Sequence, residues 1–560
     1  MTSDERPWLA SYPKGIPAEI DPSRYRSVAA LLAECCERFR HRPAFFNMGR
    51  TLTYDDLDRQ SAALANYFLN DLKLARGDRV AIMLPNVLQY PVAIMAVLRA
   101  GLTLVNTNPL YTARELKHQL TDSGATAIIV LENFAHVLAD VIGETTCTHV
   151  IVTALGDMLG FPKGAITNLV VRKVKKLVPP FSLPKAVRFN AALARGARKA
   201  APKVEIDGED IAFLQYTGGT TGVAKGAVLT HRNLVANLMQ VAAFWRHLIV
   251  PGREIIITPL PLYHVFCLTC NCLVFMHHGA LNVLITNPRD IPGFVKELRQ
   301  WPFTFITGVN TLYKALLAHP EFAALDFSRL KLGVAGGMAL HPGVAKRWRA
   351  VTGQDLLEGY GLTEASPVVA CNPYGGVLAG SVGIPLPSTE ISIRDGEREL
   401  PPGESGELFI RGPQVMRGYW NRPDETARVL SDDGWLGTGD VAAVDARGFL
   451  RIVDRKKDMI IVSGFKVFPN EIEGVLEEHP AVLECGVIGV DDARSGQAVK
   501  AFVVLRPGVA ATAEELIEYC RGNLTGYKVP KFVEFRASLP KTNVGKILRR
   551  ELPTTPAQAA

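Results

Sequence analysis

The sequence predicts an α/β protein of more than one domain. A large N-terminal part carries layered α/β units and a small β subdomain, and a small α+β domain follows. Three observations carry this. Short β-branched runs alternate with stretches of helical spacing from about 78 to 153, and again over 255–285 and 303–360, the pattern of layered strands and helices. From about 385 to 453, glycine and proline punctuate short strand-like runs. The 560 residues also exceed what one hydrophobic core usually holds.

Taken in order, Arg79 to Leu84 predicts a strand and Gln89 to Arg99 a helix: the apolar residues of the first are consecutive, those of the second recur at helical spacing. Thr103 to Val105, Thr126 to Val130 and His149 to Val152 are further strands. Ile211 to Tyr216 is an apolar run of the kind buried on both faces. Gly406 to Ile410 and Gly448 to Val453 belong to the β subdomain. Next comes Asp454-Arg-Lys-Lys-Asp458, charged and without an apolar anchor. It reads as a hinge at 455–458 between an N-terminal domain (1–454) and a mobile C-terminal domain (459–560), or as an exposed turn of one rigid body. The last residues, TTPAQAA, are expected to fray.

Residues 161–189 show a different pattern. At about 100° per residue, Ile166, Val170, Val171, Val174, Leu177 and Val178 fall on one side. Arg172, Lys173, Lys175 and Lys176 fall on the other, with Leu169 as the exception. Such a helix either lies on an anionic membrane surface or packs its apolar side on the protein with the basic side in water.

Hydrophobic residues at 48% and charged residues at 21% are ordinary globular proportions. A net charge of +7 is too mild to argue for nucleic acid and suits anionic ligands or an anionic membrane. The N-terminus lacks a basic region leading into an apolar one, so no secretory signal is expected. No uncharged apolar run reaches the roughly 18 residues of a membrane span. Nine scattered cysteines suit a reducing cytosol. Cys267, Cys270 and Cys272 precede His277 and His278, but the stretch is apolar and lacks the spacing of a zinc site. These thiols are expected to pack as small hydrophobes.

Two islands carry chemistry. Residues 216–226 read YTGGTTGVAKG. Gly218, Gly219 and Gly222 let the backbone turn sharply and bring N–H groups to an anion. Thr217, Thr220 and Thr221 add hydroxyls, and Lys225 adds a mobile cation. This is not a Walker A loop, because Gly226 follows the lysine where that motif has Ser or Thr. For GGTTG alone, an ordinary Gly/Thr-rich turn is the alternative. The second island, EGYGLTE (358–364), resembles GxGxxG but ends in glutamate, against a dinucleotide fold. Together they point to the phosphates and adenine of a nucleotide.

In order with these stand PLPLYHVF (259–266), GVAGGMAL (333–340), GWLGTGD (434–440), DRKKDMIIVSGFKVFPNEIE (454–473) and LPKTNVGKILRREL (539–552). The set resembles the core motifs of the adenylate-forming superfamily: acyl-CoA synthetases, adenylation domains and luciferases. The resemblance runs from about residue 20 to 552. NPLYTARELKHQL, LITNPRDIPG and LTGYKVPKFVEFR are most similar to bacterial long-chain fatty acid–CoA ligases.

The resemblance implies a two-step reaction. A carboxylate attacks the α-phosphate of ATP, giving an acyl-adenylate and pyrophosphate. The thiol of coenzyme A then takes the acyl group and releases AMP. Phosphoryl transfer needs positioning and charge neutralisation more than a protein nucleophile, and the chain has no GxSxG elbow. By the same resemblance, Tyr216 to Gly222 with Lys225 hold the β- and γ-phosphates, and Thr220 and Glu364 hold Mg²⁺. Gly337, Gly359, Tyr360 and Gly361 frame the adenine with Thr363 beside them, and Asp440 binds the ribose with Arg455 close by. Lys546 reaches the reacting carboxylate and α-phosphate. Lys457 is the hinge about which the small domain rotates between an adenylating and a thioester-forming pose, and in the second pose Gly464 lines the coenzyme A tunnel. His264 is a switch beside the acyl group, with a plain core histidine as the alternative. One departure is Gly437, where the superfamily commonly has histidine.

The implied function is long-chain fatty acid–CoA ligase. The alternatives are a medium-chain or aryl acid–CoA ligase, an acyl-AMP ligase that loads a carrier protein, and a non-catalytic lipid-surface binding protein. Expected partners are a fatty acid, ATP, coenzyme A, an anionic membrane face and a second copy in a homodimer, with no nucleic acid. The expected location is cytoplasmic, peripheral to the membrane.

Overall fold

The computed structural model describes residues 6–200, 202, 204–217, 224–492, 494–542 and 545–554. Gly218, Gly219, Thr220, Thr221 and Gly222, and the chain end at 555–560, lie outside the described residues.

Two large sheets form the body. The first has eight strands, in the order Gly418–Tyr419, Lys225–Thr230, Ile211–Thr217, Thr103–Asn106, Arg79–Met83, Ala127–Leu131, His149–Thr153 and Val187–Arg188. From Ile211–Thr217 onward all neighbours are parallel. The second has nine strands around a parallel block that runs from Leu356–Gly361 through Leu332–Ala335, Phe305–Gly308, Ile255–Thr258 and Leu281–Leu284 to Pro43–Asn47.

Strand periodicity explains the layering. Val80 and Ile82 face one way and Ala81 and Met83 the other, and all four are buried. The first pair joins a core shared by both sheets, with Phe213 from one and Ile256, Phe305 and Leu332 from the other. The helix Gln89–Arg99, matching the predicted bounds, lies in that core and is buried at every position but Arg99. The second pair packs on an outer layer with Leu116, Leu120 and Leu138. A matching outer layer covers the other sheet, where Ile257 and Ile306 meet Phe294, Tyr313 and Trp348. Burial on both faces is why these strands read as continuous apolar runs.

The β subdomain is an antiparallel five-stranded sheet that includes Ser405–Arg411, Leu436–Val444 and Leu450–Arg455. The last sheet includes Ile460–Val462, Val482–Asp492 and Gly496–Leu505, with helices Pro469–Glu478 and Ala513–Asn523 on its own core. This is the large N-terminal domain and small C-terminal domain that the sequence predicts.

The segment after 160 departs from the amphipathic expectation. Lys163–Leu169 is an α-helix that continues into a wider turn, Val170–Val174. Phe161 (93%), Ile166 (57%), Leu169 (59%), Val174 (71%) and Leu177 (54%) are exposed, while Val171 is buried. Arg172 does not lie free on a basic face: it makes a bidentate pair with the buried carboxylate of Glu132 at 2.8 Å. Apolar and basic side chains therefore share the solvent face, because the segment is fastened by Arg172, by Asn168 to Gly156 and by Asn133 to the Leu177 carbonyl. Among the described residues no helix is long and apolar enough to cross a membrane. Cys267, Cys270 and Cys272 are buried thiols, with Cys267 Sγ donating to the Leu260 carbonyl at 2.8 Å.

Candidate active site

The strand Leu356–Gly361 changes partners along its length. Its first half is parallel to Leu332–Ala335, and Gly359, Tyr360 and Gly361 pair antiparallel with Val368–Cys371. Gly361 has to be glycine: a Cβ there would lie 2.2 Å from the Pro367 carbonyl oxygen. Gly337 turns the chain after Leu332–Ala335 with φ +78°, a conformation that disfavours side chains. Thr363 opens the short helical turn Thr363–Ala365 that carries Glu364.

Tyr360 reaches across to the β subdomain, and its hydroxyl donates to Asp440 Oδ2 at 2.5 Å. Asp440 and Arg455 face each other across the register of two antiparallel strands. Their side chains pair at 2.9 Å from Nε to Oδ1. Burial and the neighbouring Asp440 hold the Tyr360 phenol well above its ordinary pKa, so it stays a donor. Asp440 is itself buried in this arrangement.

At the first island, Thr217 pairs with Lys225 and Tyr216 with Gly226 across two antiparallel strands. The Lys225 ammonium pairs with Glu425 and lies 5.1 Å from the centre of the Tyr419 ring. The Tyr419 hydroxyl donates to Glu364 Oε1 at 2.8 Å, and the Met416 N–H donates to the Glu364 carbonyl at 2.7 Å. Lys225 and Glu364 thus meet through Tyr419. Tyr216 points elsewhere: its hydroxyl donates to Asp122 at 2.7 Å, among the outer helices of the first sheet.

His264 is partly buried, and its Nδ1 accepts from the Phe266 N–H at 3.3 Å. Burial pushes its pKa down to about 4, so the ring is neutral near pH 7. The next aromatic, Phe266, covers Gly336, where a Cβ would lie 3.2 Å from the ring and 3.5 Å from the Gly359 carbonyl oxygen. The histidine segment therefore borders the turn that leads to Gly337.

Lys546 arrives from the small domain on a tight hairpin. Thr542 N–H donates to the Lys546 carbonyl at 2.7 Å, and the Lys546 N–H donates to Thr542 Oγ1 at 3.0 Å. This hairpin lies against the large domain, where a Cβ on Gly545 would meet Thr311 Oγ1 at 2.6 Å, and the small-domain strand Val482–Asp492 is tied to it by Lys314, which donates to the Leu483 carbonyl. Burial, then the like charge of Arg455, push the Lys546 ammonium down to about 8, while Asp440 pulls it up. The structure thus brings Lys546, Arg455, Asp440 and Tyr360 into one electrostatic group.

A family model described as AMP-binding enzyme matches residues 32–420, and one for the AMP-binding enzyme C-terminal domain matches 471–546. The chain belongs to the AMP-binding enzyme family. It is 56% identical over 547 residues to a long-chain-fatty-acid–CoA ligase of Escherichia coli O6:H1, covering 97% of each chain. It is 41% identical to the ligase of the same description from Bacillus subtilis, covering 98% of each. A crystal structure of an anthranilate CoA ligase in complex with anthranoyl-AMP superposes with a TM-score of 0.83 at 25% identity, covering 95% of this chain and 98% of that one.

In this AMP-binding enzyme, Lys457 lies in a turn closed by the Asp458 N–H on the Arg455 carbonyl at 3.0 Å. Gly464 sits with φ +85° at the tip of an exposed hairpin between Ile460–Val462 and Phe465–Val467. Among the described residues nothing comes within 4 Å of where a Cβ on it would stand, so it is clear of the Lys546 group. At Gly437 a Cβ would lie 3.1 Å from the Phe409 ring, so a side chain there would require the ring to shift. Sequence reasoning missed Tyr419 and Glu425. Their one signal was an aromatic and an acid in the unassigned stretch between two motifs.

Proposed function

We propose that this enzyme is a long-chain fatty acid–CoA ligase: it activates a fatty acid with ATP to an acyl-adenylate and passes the acyl group to coenzyme A, releasing AMP and pyrophosphate. The observation that carries the reading is the docked hairpin, which sets the Lys546 ammonium beside Asp440, Arg455 and Tyr360. A buried cation there meets the negative charge that gathers as a carboxylate attacks a phosphate. The relatives' long-chain description supports the substrate class.

Tyr360 and the glycines around it take the adenine, Asp440 the ribose, and Lys225 the outer phosphates. Tyr216 contributes through its backbone, since its side chain is bonded to Asp122. Glu364 offers a hard oxygen and, with Thr220, would hold Mg²⁺. One carboxylate and one hydroxyl fit an ion that takes most of its other ligands from phosphate and water. When bound, it supplies charge neutralisation on the phosphates. Neutral His264 borders the acyl side. Rotation about 455–458, with Lys457 as pivot, then withdraws Lys546 and brings the Gly464 hairpin to the acyl-adenylate.

The test is AMP and pyrophosphate release with Mg-ATP, coenzyme A and saturated fatty acids from C6 to C18. Coenzyme A-dependent AMP release that peaks at long chains supports the reading. Pyrophosphate release without a coenzyme A thioester points to carrier loading, and no release with any acid refutes the reading.

We also infer peripheral contact with an anionic membrane face through 161–177, because exposed Phe161, Ile166, Leu169, Val174 and Leu177 alternate with Lys173, Lys175 and Lys176. Sedimentation with anionic vesicles is expected to be lost when the three lysines become glutamine and Leu169 and Val174 become glutamate. Sedimentation unchanged by those substitutions removes this contact.

A further inference from the structure

Arg549 sits where four segments meet. Its Nε and Nη2 donate to the two oxygens of Glu473 at 2.9 and 2.6 Å. Its Nη1 donates to Asp454 at 3.0 Å and to Asp458 at 3.2 Å, and Nη2 also donates to Asn470 Oδ1. Asp454 ends the β subdomain on strand Leu450–Arg455, and Asp458 closes the following turn. Asn470 and Glu473 lie on the first helix of the small domain, Pro469–Glu478. Arg549 is three residues past Lys546 on the same chain end.

Asp454 is fully buried. Its Oδ1 also accepts from the Arg455 N–H at 2.7 Å, and its Oδ2 accepts from the Asn470 N–H at 2.7 Å. Burial raises its pKa, and Arg549 is the first influence opposing that rise. A buried carboxylate is held charged only by such partners, and losing one is costly.

We infer that Arg549 is a positioning residue that latches the small domain with Lys546 inward, through a pair with Asp454 that spans the hinge. This rests on the two-step reading above. Rotation about 455–458 treats the two halves of the fork differently. Glu473 and Asn470 lie beyond the hinge and travel with Arg549. Asp454 lies before it and stays with the β subdomain. Rotation therefore parts Arg549 and Asn470 from Asp454 and leaves the Glu473 pair whole. The Glu473 grip fixes the segment that carries Lys546, and the Asp454 grip sets where the domain stands. The adenylating pose is then favoured by a bond that the second pose has to give up.

The test compares half-reactions in Arg549→Gln, Asp454→Asn and the double variant. Acyl-AMP formation is followed as pyrophosphate release without coenzyme A, and thioester formation is followed from supplied acyl-AMP. Each single variant is expected to lower the first rate about tenfold or more while the second stays within about twofold. Asp454→Asn keeps the side-chain volume and isolates the cross-hinge pair from any general loosening around Glu473. The double variant is expected to be no slower than Arg549→Gln alone, as for two residues acting through one contact. Equal losses in both half-reactions, unchanged rates, or additive losses overturn the latch. A wild-type protein that forms no acyl-AMP overturns the functional reading itself, so the two failures are distinguishable.

Discussion

Replacing Lys546 with alanine tests the proposed chemistry most directly. The ammonium is held in an unfavourable place: burial and Arg455 move its pKa from 10.5 to about 8. At about 1.4 kcal/mol per pH unit, that environment disfavours the charged form by about 3 kcal/mol. A carboxylate and a phosphate arriving beside it relieve that penalty, most fully where negative charge gathers in the transition state. Acyl-AMP formation is therefore expected to fall on the order of a hundredfold or more in Lys546→Ala. Thioester formation from supplied acyl-AMP is expected to survive, because the proposed rotation carries the lysine away in that step. The pH dependence has a definite sign. Lys546 loses its proton as pH rises through about 8, so wild-type kcat/KM for pyrophosphate release falls above that value and is full below it. The thioester half-reaction lacks this limb, and so does the residual adenylation of Lys546→Ala. Equal losses in both half-reactions, or a loss under about tenfold, would refute the assignment.

Three further outcomes follow from the geometry. Lys457→Pro, which fixes φ within the 455–458 turn, is expected to keep pyrophosphate release and to stop coenzyme A ester formation; normal overall turnover counts against rotation at this position. Tyr419→Phe removes the hydroxyl on Glu364 and is expected to raise the KM for Mg-ATP about threefold to tenfold, in line with about 1 kcal/mol for one hydrogen bond, with a Tm near that of the wild type. Gly437→His places a Cβ 3.1 Å from the Phe409 ring. It is expected to destabilise by about 1 kcal/mol in denaturant melts, and an unchanged or raised stability would mean that Phe409 moves aside freely.

Much of this protein was legible along the chain. The strands at 79–83, 103–106 and 149–153 and the helix at 89–99 fall within a residue or two of their predicted bounds, because burial on both faces and helical spacing are properties of neighbours in sequence. The glycines of EGYGLTE were legible for a related reason: close backbone approaches need glycine at defined places, as Gly361 against Pro367 demonstrates. Residues joined across long separations were not. Tyr419 on Glu364 spans 55 positions, Tyr216 on Asp122 spans 94, and Arg549 on Asp454 spans 95. Each contact depends on strand register and on how one sheet or domain stands against another, which no local pattern encodes. The same holds for 161–177, where the sequence determined an amphipathic spacing. Only the packing of Arg172 on Glu132 and Asn168 on Gly156 left apolar and basic side chains together on the solvent face. Sequence thus determined the elements and the chemistry each can offer, through local spacing and turn geometry. Tertiary structure decided which of those groups meet, because buried charges and hydroxyls settle on whichever partners the assembled layers bring within hydrogen-bond reach.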